Sequence, residues 1–126
     1  MDAKRCEELY ASYMAGYASG KGHGPRVTPA LDAPLDDWAR ELGHVDGLAS
    51  ASMRGSGDLA RWCLCYRTYQ RCLSGLDGAA LRDTDDCGAE ADATVELGCR
   101  LGAADARTGQ RRTPVALAQL LRSLGN

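Results

Sequence analysis

The chain reads as an all-α protein built on a disulfide-stapled antiparallel helical hairpin. Three observations lead there. Apolar residues recur at helical spacing in several separate segments. Five of the six cysteines fall between residues 58 and 100. A polar Gly/Asp stretch separates the two cysteine-bearing segments. The expected organisation is an N-terminal helix over 1–19, a connector over 20–57 with a short helix near 36–43, the hairpin over 58–101, and a tail with a helix over 102–126.

The N-terminal segment places Cys6, Leu9, Tyr10, Tyr13, Met14 and Tyr17 on one wide face, with Lys4, Glu7, Glu8 and Ser12 outside it. Gly20 is the expected stop. Gly20, Gly22, Gly24, Pro25, Pro29 and Pro34 then break any apolar period, predicting a long Gly/Pro connector. So long a connector in a small chain often lies against a partner. Asp36 and Asp37 open a short helix that Trp38 and Leu42 anchor and Gly43 closes. The small residues from 44 to 57 predict a loop.

Asp58 is the expected N-cap of the first hairpin helix, which runs to Ser74 and stops at Gly75. With Cys65 as reference, Cys72, Leu76, Tyr69, Trp62, Leu73 and Tyr66 share a face at about 100° per residue. Asp85 or Asp86 caps the second helix, which ends near Leu101 before Gly102. Ala91, Thr94, Val95, Gly98 and Leu101 make its buried face. Thr113 as cap and Pro114 at the first helical position open the last helix. Its stripe of Leu117, Leu120, Leu121 and Leu124 is a packing face, toward its own domain or another subunit. No internal repeat shows at solenoid period.

Composition narrows function. The 126 residues fit one small domain. Hydrophobic content is 44% but alanine-rich and without Phe. Apolar burial contributes only about 25 cal/mol per Å², so such a core calls for staples or a partner. The 15 basic and 17 acidic residues leave a net charge of −2, so no field argues for nucleic acid. No apolar run is long enough for a transmembrane segment. The polar opening residues lack an apolar h-region and are not expected to act as a secretory signal.

In an antiparallel pair, Cys72 at the end of one helix lies close to Cys87 at the start of the next, and Cys99 meets Cys63 or Cys65. The inner bridge would close a loop of about 15 residues, worth roughly 3 kcal/mol on the chain-entropy model. Axial length favours Cys63 as the partner of Cys99. Helical phase favours Cys65. A third bridge between Cys6 and Cys65 would tie the N-terminal helix to the hairpin, with buried thiols as the alternative.

Cys63-x8-Cys72, the Asp/Gly turn, Cys87-x11-Cys99 and the run Tyr69-Gln70-Arg71-Cys72 resemble the twin Cys-x9-Cys, or CHCH, family, nearest in pattern to cytochrome c oxidase subunit VIb. The resemblance covers about 40 residues. It implies a non-catalytic accessory subunit of a respiratory complex, peripheral to the inner membrane in the mitochondrial intermembrane space. The implied partners are other protein subunits of a membrane-associated complex, with no cofactor and no small-molecule substrate. An assembly factor, or a small subunit of another mitochondrial assembly such as the mitoribosome, would carry the same signals.

Other chemistries are weaker. Cys63-Leu64-Cys65 offers two soft ligands for Cu(I), but a helix turns them about 200° apart. His23 and His44 fall in predicted loops without zinc spacing. Gly20-Lys21-Gly22-His23-Gly24 lacks the order of a phosphate loop. No local signature pairs a nucleophile with a base, so catalysis is not expected.

Overall fold

The computed structural model describes all residues except 1–2, 50, 54–55, 76–90 and 125–126. The described residues form five α-helices and no strand: α1 Ala3–Lys21, α2 Leu35–Ala49, α3 Ser56–Leu73, α4 Ala91–Thr108 and α5 Pro114–Leu124. The all-α expectation holds. The direction of the helices differs from it.

α1 and α2 run parallel. Arg5 in the first turns of α1 pairs with Asp36 in the first turn of α2 at 2.5 Å. Gly16 lies against the carbonyl of Arg40, Gly20 one turn later against that of His44, and Gly47 beside Lys21 at the far end. A Cβ on Gly16 would sit 1.9 Å from Arg40 O, and one on Gly43 1.9 Å from Tyr13 O. Only glycine admits that approach of two backbones. The spacing Gly16-x3-Gly20 against Gly43-x3-Gly47 is a small-x3-small seam on both helices, the pattern that lets helix axes come closest.

α3 and α4 repeat this. Gly98 lies against Cys65 and Thr68, and Gly102, one turn on, lies against Tyr69, Cys72 and Leu73. Position advances along both helices together, so this pair is also parallel. The antiparallel hairpin is therefore corrected to a parallel pair. Gly102 does not end the helix; it lies inside α4, which continues to Thr108. Likewise Gly43 and Gly47 sit inside α2, which extends to Ala49 where a loop was expected. In both cases the glycine's intrinsic cost of about 1 kcal/mol in a helix is outweighed by the contact it permits.

α3 is the central rod. Leu59, Ala60, Trp62, Cys63, Leu64, Cys65, Tyr66 and Tyr69 are all buried, because α1, α4 and α5 each lie against it. Leu117 and Leu121 of α5 are buried too, so the leucine stripe packs on its own chain. Thr113 caps α5 as expected, its Oγ1 accepting from Ala116 N at 3.2 Å, and Trp62 Nε1 donates to Pro114 O at 2.7 Å. Asp85, Asp86 and Leu76 lie outside the described residues. No helix among the described residues is long and apolar enough to cross a membrane.

Because α1 and α2 are parallel, residues 22–34 must return along the pair from the end of one helix to the start of the next. At 1.5 Å per residue α1 is roughly 28 Å long, within reach of an extended segment at about 3.3 Å per residue. The turn that starts this return is held by Gly22 N donating to Ala18 O and Gly24 N to Ser19 O, with His23 at φ 56°. Arg26 anchors the segment to α2 through Glu41.

Candidate functional site

The expected site was the cysteine set, and the structure does not assemble it. Cys63, Cys65, Cys72 and Cys99 all stand as thiols, none in a disulfide. The Cys63–Cys99 and Cys65–Cys99 pairings are thus both absent. Cys6–Cys65 is absent too, although Cys6 itself is disulfide-bonded; the Cys72–Cys87 pairing has its second member outside the described residues. The physical reason is direction. In a parallel pair Cys72 meets Gly102, 2.9 Å from where a Cβ would stand, deep in α4 and not at its start. Cys99 follows Gly98 by one residue, about 100° round the helix, and turns off the contact line.

Cys63 and Cys65 are 1% and 0% exposed on a continuous stretch of α3. Burial pushes the Cys65 thiol up to about 12 from its ordinary 9.0, against a small opposing effect from the Arg61 charge. Both cysteine side chains are held away from solvent. Among the described residues no group of three or more His, Cys, Asp and Glu could hold a metal ion.

Two buried polar networks were missed by sequence reasoning. Tyr13 of α1 donates to Asp46 Oδ2 of α2 at 2.5 Å, and Met53 N donates to the same hydroxyl at 2.8 Å. Arg122 of α5 grips both carboxylate oxygens of Asp46. In the second pair, Tyr69 of α3 donates to Asp105 Oδ2 of α4 at 2.6 Å, and Arg112 N donates to that hydroxyl at 2.8 Å. The Arg112 side chain grips Asp105 through Nε at 2.9 Å and a second nitrogen at 3.3 Å. Burial first, then the hydrogen bond to the carboxylate, raises the pKa of both phenols. The signal was in the chain: Tyr10-x-Ser12-Tyr13 recurs as Tyr66-x-Thr68-Tyr69, and Leu42-Gly43-x2-Asp46 recurs as Leu101-Gly102-x2-Asp105. The repeat is one of whole helix pairs, far longer than a solenoid unit.

A cleft lies under the returning segment 22–34. Its cavity is about 290 Å³, walled by Pro25, Val27 and Pro29 on one side and by Arg40, Glu41 and His44 of α2 on the other. His44 is 5% exposed on a helix, not in a loop as expected, whereas His23 is in the loop. The Glu41 side chain is 1% exposed. Its Oε1 accepts from Arg26 Nε at 2.5 Å. Its Oε2 is buried without any hydrogen-bond partner. An unsatisfied buried acceptor costs about 1–3 kcal/mol, more when charged, and α2 holds this one at a cavity wall. Glu41 was passed over in the sequence because a lone Glu on a short helix carries no pattern.

The described residues form a duplicated module of glycine-packed parallel helix pairs, with a cleft under a proline-bearing strap. No family model matches this chain, and no curated protein or solved structure matches it.

Proposed function

We propose that the chain is a non-catalytic structural subunit of a larger protein assembly, and that segment 22–34 is the face it offers its partners. One observation carries this reading. Val27 is 75% exposed and Leu31 46% exposed, on a segment tied down at its turn and through Arg26. Prolines at 25, 29 and 34 limit its backbone freedom, so docking would order little that is not already ordered. An accessory subunit of a respiratory complex in the mitochondrial intermembrane space is the most specific form of the proposal; the cysteine spacing supports it. Cys63, Cys65, Cys72 and Cys99 stand as thiols while Cys6 is disulfide-bonded, so a disulfide map of protein taken from cells decides the setting.

The assembly role is tested by native gel and size exclusion of the full chain from its own cells. The wild type should run within a larger particle, and the pair Val27→Asp with Leu31→Asp should release it while the thermal melt stays unchanged. A wild-type chain that runs alone would end the proposal.

A further inference from the structure

We propose that the cleft beneath segment 22–34 is a binding site for an aliphatic primary ammonium, whose head donates to the empty Oε2 of Glu41. Glu41 is buried, its Oε1 is engaged by Arg26, and its Oε2 has no partner at the wall of a 290 Å³ cavity. A carboxylate is acceptor-only, so the occupant must be a donor. Pro25, Val27 and Pro29 face it from the strap, so the body behind that donor must be apolar. The volume is at the small end of ligand pockets, which begin near about 300 Å³.

Competing occupants fit less well. An anion would meet Arg40 but also Asp37 and Glu41, and it has nothing to donate to Oε2. A metal ion would find Glu41 and His44 at i and i+3, and no group of three ligands forms among the described residues. A neutral alcohol could donate, but it lacks the Coulomb attraction that an ammonium adds to the same hydrogen bond. Arg26 shows that a cationic donor is accepted at this carboxylate, since its own guanidinium holds the other oxygen. The ammonium can be a free amine or a lysine side chain of a partner. Binding depends on the cleft alone and holds even if the chain has no assembly partner.

The test is an amide-resolved NMR titration of the full chain with n-butylammonium chloride, at fixed ionic strength. Pentanol and butyrate serve as neutral and anionic controls. Nα-acetyl-lysine amide serves as the tethered source. Saturable shifts are expected at Gly16, Val27 and His44 with butylammonium, about tenfold weaker with pentanol, which lacks the Coulomb attraction, and absent with butyrate. Saturation by the lysine derivative as well would assign a partner's side chain; saturation by butylammonium alone would assign a free amine. Glu41→Gln should abolish the saturable shifts. Val27→Lys, at an exposed position, keeps the core intact and places a tethered ammonium at the cleft; it should weaken butylammonium binding at least tenfold. Equal binding of pentanol, no saturation, or an unaltered affinity in Val27→Lys would overturn the proposal.

Discussion

The two helix pairs are the same device made from different residues. Each is parallel, each crosses on glycine, and each sets a tyrosine of its first helix on an aspartate of its second. They differ in who supplies the small side chains. α1 brings Gly16 and Gly20 to meet Gly43 and Gly47, whereas α3 brings Cys65, Thr68 and Cys72 to meet Gly98 and Gly102. In the shared Tyr-x-x-Tyr register, Cys65 of α3 stands where α1 has Leu9, and Cys72 stands where α1 has Gly16. The comparison explains cysteines that the staple reading could not. Cys65 and Cys72 are compact packing residues of a helix seam, in keeping with cysteine's behaviour as a small hydrophobe.

The seams differ in tightness, and that difference is the first to break. A Cβ at Gly43 would fall 1.9 Å from Tyr13 O and 2.8 Å from Tyr17 N, both fixed backbone. At Gly98 it would fall 2.8 Å from Cys65 O and 2.9 Å from the Thr68 Cβ. Gly43→Ala should therefore cost roughly 3 kcal/mol or more, and Gly98→Ala about 1 kcal/mol after the better helix propensity of alanine is counted. Urea midpoints of the two variants measure this. Equal losses would mean the pairs are packed alike.

The sequence made part of this legible. The period of apolar residues located every helix, and Thr113-Pro114 located the start of α5 to the residue, because caps and periodicity are local. Direction was not legible. A Gly/Asp connector that looks like a hairpin turn is also long enough to return along a helix, and only the far contacts of Gly98 and Gly102 decide between them. Glycine was misread for the same reason. Gly43 and Gly102 are helix stops by local rule and helix contacts by tertiary fact. Asp46 and Asp105 escaped notice because a buried carboxylate becomes tolerable only when a distant arginine reaches it.

That arginine is where the pairs next diverge. Arg112 comes from the loop just after α4, while Arg122 comes from α5 and ties α5 to the first pair. Breaking a buried pair by removing one partner costs about 3–5 kcal/mol; these guanidinium side chains are 34% and 33% exposed, so solvent screening lowers the figure to roughly 2 kcal/mol. Arg122→Met should lose that amount. Arg112→Met should lose about 1 kcal/mol, since its backbone N–H still donates to Tyr69. Hydrogen exchange sharpens the contrast: Arg122→Met should lower protection in α1 and α2 more than in α3 and α4. Uniform loss across all helices would show that α5 does not join the pairs through this contact.

The last contrast, visible only at alkaline pH, separates Cys65 from its counterpart Leu9, both 0% exposed. Leucine does not titrate, so only the second pair carries a proton linkage at this position. The Cys65 thiol ionises near 9.0 in the unfolded chain and at about 12 when folded. Stability is thus full below pH 9 and falls between pH 9 and 12, as the unfolded chain loses a proton that the buried thiol keeps. The loss reaches about 1.4 kcal/mol at pH 10, one decade above the unfolded value. Cys65→Ala should start less stable, through the lost sulfur contacts, yet decline less from pH 8 to pH 10 in urea melts. An identical decline in both proteins would place the alkaline sensitivity elsewhere, with the buried phenols of Tyr13 and Tyr69 the next groups to substitute, since burial raises both and gives them the same sign of linkage.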